Sequence, residues 1–232
     1  VDPVAIDGVD EATRSQVVAD LTAAAEALRA QPVEIRLDML EEGEQRSATV
    51  RVDRERGLLE GVLESPTSRG SVITMRHVIV DDRLFLKSTA SVEAEAALDF
   101  TELPIDPLGP RLLDEVFTAY GRLTPSLDRI LLLLENLPFA AQVTDLEGGL
   151  EISVVMSPIA IYNYYGSEGI EPVGGSVPEV PTQLAFRIED GVLVGIVAAG
   201  IHFHDGEPLA VEATVAYTQI EPFQLAIPPI DE

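Results

Sequence analysis

The residue types best suited to chemistry in this chain are three histidines set among forty carboxylates. His202 and His204 stand two apart in IHFHD, with Asp205 close behind. On a strand this spacing turns both imidazoles to one face, and with Asp205 they have donor types that suit a metal. A closed zinc site takes four ligands, and spacing supplies no further one, so exposed strand histidines are the competing reading. His77 falls on the Ile73, Met75 and Ile79 side of SVITMRHVIV, where a partly buried, satisfied imidazole is expected. The chain has no Cys, so it has no thiolate nucleophile, thiolate metal site or disulfide. It also lacks a G-x-S-x-G elbow, an H-E-x-x-H pair and a P-loop. Carboxylates are abundant, but abundance does not pair two of them in a cleft. A secreted hydrolase would need such a pair assembled in space. The expectation is a protein that is not an enzyme, with no catalytic residue, metal or cofactor.

Charge narrows the partners. Forty acids against 15 bases leave a net charge of -25, and Lys87 is the only lysine. Phosphate binding needs a basic surface, so nucleic acid is not an expected partner. An anionic lipid surface would repel the chain as well. The charge itself favours solubility. Hydrophobic residues make up 46% and aromatics only 5%, so the core must be aliphatic. No stretch approaches the ~20 apolar residues of a membrane-spanning helix. The opening VDPVAIDGVD shows neither an initiating Met nor a signal peptide, and it is compatible with a leader on a natural precursor.

The elements that must position these groups follow from hydrophobic period. Residues 1–9 read as a short acidic tether, and residues 10–232 as one domain. Asp10 suits a helix cap, and Val17, Leu21, Ala24, Ala25 and Leu28 then recur at helical spacing up to Pro32. The period drops to two in VEIRLDML and ATVRVDR, as in strands with one dry and one wet face. GLLEGVLE, SVITMRHVIV and RLFLK extend an antiparallel meander. Residues 88–111 read as loop, followed by helical RLLDEVFTAYGRL and TPSLDRILLLLENL. Thr124 suits a cap there, and Pro125 a first turn. Strands resume in FAAQVTDL, LEISVVMS and IAIYNYY. The Tyr cluster 161–169 reads as an edge strand entering a loop, or as a polar-tipped rim. The Gly- and Pro-rich stretch 166–181 is a long loop, and TQLAFRI, VLVGIVAAGIHFH and LAVEATVAY close the series before FQLAI. About ten strands result, forming a sandwich or curling around the middle helices. Two hairpins echo each other: ERGLLEGVL and EDGVLVGIV each set a Gly at the turn and a second Gly four residues later. A strand glycine marks a bulge, a bend or a close approach.

This order of elements resembles the LolA-like fold, and within it the LppX/LprG-type actinobacterial lipoproteins. The resemblance rests on the helix DEATRSQVVADLTAAAEALRAQ leading into VEIRLDML, the strand pair turning at RVDRERGLLEGVLE, and the segment HVIVDDRLFLK. PTQLAFRIEDGVLVGIVAAG followed by VEATVAYTQIEPFQLAIPPIDE completes it, so it spans about residues 10–230. It implies an α+β fold: a curved antiparallel half-barrel of about ten strands, with helices covering the concave face and an acyl-chain cavity between. It also implies an extracytoplasmic place in the cell envelope, periplasmic, secreted or membrane-anchored. The anchor would be an N-terminal lipid on a Cys that this sequence lacks.

On that reading the protein is a non-catalytic, monomeric carrier that holds a lipid or acylated ligand for transport or presentation. The alternative is a regulatory module of the same fold that binds a segment of a partner protein. LDRILLLLENL then gains meaning. Leu127, Ile130, Leu131 and Leu134 make one stripe, and Leu132 and Leu133 widen it. Such a helix is either buried on several sides or meets the sheet on one side and a ligand chain on the other. Inward positions expected to line the cavity are Ile35, Leu37, Val50, Val52, Met75, Leu131, Leu134, Val154, Met156, Phe186, Val215 and Tyr217. A contact with a lipid head group is the alternative to a satisfied, partly buried His77, and helix 124–137 or loop 166–181 is expected to move on release.

Overall fold

The computed structural model describes residues 11–41, 44–66, 72–81, 83–90, 100–103, 127–157, 159–161, 164, 182–204 and 207–230. The expected tether, the helical segment 111–123, the Thr124–Pro125 start and the loop 166–181 lie outside them.

Helix α1 (Glu11–Arg29) buries Val17, Leu21, Ala24, Ala25 and Leu28, the stripe its period predicts. The Ala30 amide still reaches the Glu26 carbonyl at 3.1 Å, and Pro32 then blocks further helix. Eleven strands follow in one antiparallel sheet: β1 (Val33–Glu41), β2 (Glu44–Asp53), β3 (Leu58–Pro66), β4 (Val72–Val80), β5 (Arg83–Ala90), β6 (Thr101–Leu103), β7 (Phe139–Leu146), β8 (Gly149–Met156), β9 (Gln183–Glu189), β10 (Val192–His204) and β11 (Glu207–Gln219). The strand order is β6-β5-β4-β3-β2-β1-β11-β10-β9-β8-β7. Two meanders therefore run outward from a central seam, where the first strand pairs with the last from Val33↔Gln219 to Glu41↔Val211. The sheet is open, with β6 and β7 at its edges among the described residues.

Two expectations change. Residues 88–111 are not all loop, because β5 continues to Ala90 and the short β6 pairs with it at Leu84↔Leu103. The segment after β8 is not a strand. Residues 159–161 are helical, since the Ser157 hydroxyl accepts the Ala160 amide and the Ser157 carbonyl accepts that of Ile161. Ser-Pro at 157–158 has the composition of a cap and a first helical position, and this outweighs the apolar alternation behind it.

One face of the sheet carries the main core. A row of side chains crosses eight strands through successive ladder partners: Met75, Leu63, Ala48, Leu37, Val215, Ile196, Phe186 and Ile152. A second row joins Met39, Ala213, Ala198, Leu184, Val154 and Ala141. Leu193 and Ile196, three apart, both reach this face because the β9–β10 register shifts between Leu193 and Gly195. That bulge is the role of the second glycine in one echoed hairpin. The first glycine of each hairpin holds a turn at positive φ, +64° at Gly57 and +77° at Gly191. Helix α1 lies over β10 and touches β7 and helix α2 (Leu127–Asn136).

The opposite face carries ion pairs, with Arg51 paired to Glu60, Arg83 to Glu102 and Arg187 to Glu189. It has a second, smaller core of Leu58, Val78, Val80 and Phe85. The segment after β11 covers this patch. The Ile220 amide donates to the Pro32 carbonyl at 3.0 Å, Phe223 and Leu225 pack on the patch, and Ile230 bridges in parallel to Phe100.

Candidate functional site

The residues expected to line a cavity pack with one another in one apolar cluster, and of the twelve Leu134 alone also lines the groove between α1 and α2. Ile35, Leu37, Val50, Val52, Leu131, Leu134, Val154, Met156, Phe186 and Val215 are all buried in the main apolar cluster, and Met75 and Tyr217 pack against it half-buried. Strand parity brings them together: the two-residue period sends each set to one face, and the ladder aligns the sets. The same face also holds Leu63, Ile152, Leu184 and Ile196, none of them among the expected lining. The same alternation would have found the strand members.

Helix α2 settles how the five-residue apolar run is used. Ile130, Leu131, Leu133 and Leu134 are buried, with Leu133 at 0% exposure, whereas Leu132 stays 47% exposed. The helix thus buries one broad face, and Leu132 lies on its exposed side with Glu135 and Asn136. Its last turn is closed by the Asn136 side chain, which donates to the Leu132 carbonyl at 2.8 Å, and by the Leu137 amide on the Leu133 carbonyl at 2.8 Å.

A groove of about 700 Å³ opens between α1 and the end of α2. Its floor is Val18, Ala19, Ala23, Leu134, Leu137 and Pro138, with Thr22 and Ser15 among them. Its polar groups are Glu11, Arg14, Glu26, Glu135 and Asn136. The α1 residues recur at intervals of three and four beside the core stripe, so one helix serves the core with one face and the groove with the next. Small-molecule pockets span roughly 300–1,000 Å³, which includes this volume. Leu134 belongs both to the groove and to the main core, so the groove lies directly against the apolar interior.

His77 lies on the core face, opposite Gly61 on one side and Leu86 on the other. Burial lowers its pKa to about 4, so the ring is neutral at neutral pH and offers no positive charge to a head group. The side chains of His202 and His204 lie outside the described residues. Their backbones sit in β10 opposite Leu209 and Glu207. Among the described residues, no three His, Cys, Asp or Glu side chains are grouped to hold a metal ion, and no helix is long and apolar enough to cross a membrane.

Compared with protein-family models and with curated protein sequences, the chain matches none.

Proposed function

We propose that this protein is a non-catalytic binding protein of LolA-like architecture. Its open sheet is a curved half-barrel, and its helices cover the concave side. In the cell envelope, outside the cytoplasm, it holds a lipid or acylated molecule for transport or presentation. The observation that carries this reading is the groove between α1 and α2, which lies directly against the apolar interior at Leu134. Aliphatic side chains dominate that interior, and each methylene of an acyl chain gains roughly 0.8 kcal/mol on leaving water. A long chain therefore binds with few polar contacts. The net charge of -25 keeps such a carrier soluble and off anionic membrane surfaces.

Native mass spectrometry of the purified protein, followed by organic extraction and incubation with a panel of phospholipids, glycolipids and fatty acids, tests the reading. Retention of about one lipid per chain is expected for a groove of this volume. If no lipid class binds, the apolar face is fully satisfied by the protein's own side chains. A module that binds a partner's peptide segment then becomes the better reading.

A further inference from the structure

The groove between α1 and α2 is polarised, and Arg14 is its one cation among the described residues. Arg14 lines it half-buried, and among the described residues its guanidinium has no carboxylate partner. In a chain with 40 acids and 15 bases, an arginine in a groove with Glu11, Glu26 and Glu135 would be expected to pair with one of them. No such ion pair forms. Most other described arginines on the sheet do pair, as Arg36 with Glu34, Arg51 with Glu60, Arg56 with Asp53, Arg83 with Glu102 and Arg187 with Glu189. From Arg14 the groove runs along α1 past Ser15, Val18, Ala19, Thr22 and Ala23 to Glu26. At 1.5 Å rise per residue that trough is about 18 Å long, the scale of a long alkyl chain.

We propose that the groove binds a single acyl chain ending in a monoanionic group, with the anion on the Arg14 guanidinium and the chain along the trough toward Glu26. This deepens the carrier reading and rests on it. A guanidinium without a carboxylate partner is matched by a carboxylate or a phosphodiester, which accept charge-assisted hydrogen bonds. Glu11, one helical turn from Arg14, and Glu135 across the groove repel a second negative charge. The site therefore takes one charge, not the two of a phosphate monoester. Small residues make the trough: a longer side chain at Ala19 or Ala23 would fill it.

Isothermal titration with three dodecyl probes of equal chain length tests this: laurate, dodecanol and dodecyltrimethylammonium, each below its micelle concentration. Laurate is expected to bind ~10-fold or more tightly than dodecanol, the range of one charge-assisted contact, and the ammonium probe most weakly. Arg14→Gln should bring laurate down to the level of dodecanol, and Arg14→Lys should restore most of the difference. Ala19→Phe changes an exposed position on α1, so the fold should survive while all probes lose binding. Dodecyl monophosphate at pH 8 should bind more weakly than laurate. If wild-type protein binds none of the probes and no lipid from the wider panel, the carrier reading fails with the proposal. If laurate binds but Ala19→Phe binds it equally well, the ligand sits elsewhere: the proposal falls and the carrier reading stands. Equal laurate affinity in wild type and Arg14→Gln, or preference for the ammonium probe, overturns the role of Arg14.

Discussion

The Arg56 guanidinium, in the β2–β3 turn, donates from Nη1 to the carbonyl of Phe223 at 2.5 Å, joining positions 167 residues apart. The same guanidinium stands 3.9 Å from the carboxylate of Asp53, a charged residue only 2% exposed. Asp53 also accepts the Arg56 amide at 3.1 Å, so the turn is closed on itself before it reaches the C-terminal segment. The ring of Phe223 lies 5.0 Å from the Arg51 guanidinium. Two arginines from one hairpin thus hold one aromatic residue of the strap against the outer core. Arg56→Gln should remove both the strap contact and the partner charge of Asp53. The expected loss is about 1–2 kcal/mol in urea denaturation, with faster amide exchange across residues 220–230.

The ring of Phe223 contributes in its own right. It packs half-buried against Leu58, Val78, Val80 and Phe85. Phe223→Ala should cost about 1–2 kcal/mol, from area returned to water and the lost Arg51 contact. The readout is the urea midpoint, and the slope should stay unchanged if only the strap loosens.

Adjacent leucines in α2 should behave oppositely. Leu133 is fully buried and Leu132 is 47% exposed. Leu133→Ala should cost about 2–5 kcal/mol through the cavity it leaves, while Leu132→Gln should stay within about 0.5 kcal/mol. Thermal denaturation followed by circular dichroism separates them.

His77 gives the fold a pH dependence with a defined sign. Its pKa in the folded protein is lowered to about 4, below the ordinary ~6.5 of an unfolded chain. Between these values the unfolded state binds more protons, so stability rises with pH. The contribution is complete above about pH 6.5 and is lost as pH falls toward 4. The ring is not wholly enclosed, so solvent screening reduces the effect to about 1–2 kcal/mol. His77→Gln should flatten the stability profile between these limits, measured by urea denaturation at a series of pH values.

Gly149 should tolerate no side chain. A Cβ there would stand 2.1 Å from the Ile188 carbonyl oxygen, a backbone atom of the neighbouring strand. Gly149→Ala should therefore cost about 1–3 kcal/mol or more by forcing β8 from β9, whereas the spacious turn at Gly57 suffers only the strain of its positive φ, about 1 kcal/mol. Differential scanning calorimetry of the two variants gives the comparison.

The sequence by itself determined which residues face inward. Alternation in VEIRLDML and ATVRVDR placed Ile35, Leu37, Val50 and Val52 on one face, and the helical period placed Val17, Leu21 and Leu28 on another. Both are local properties of chain geometry, and any packing must respect them. The bulge was legible only as a glycine inside a strand, because the register shift at Gly195 depends on its partner β9. The short β6 was missed because three residues carry too little alternation to stand out from a loop.

Only the tertiary structure decided what covers each face. Leu132 and Leu133 are the same residue type one position apart, and their different burial follows from where the neighbours of α2 lie. The pairing of β1 with β11, and the return of Phe223 to a turn 167 residues earlier, join the two ends of the chain. Arg14 reads as one more charge on an amphipathic helix until α2 is laid beside it and the groove forms. In each case the physical reason is the same: periodicity is set by bonds between neighbours, whereas burial is set by surfaces that meet only after the chain has folded.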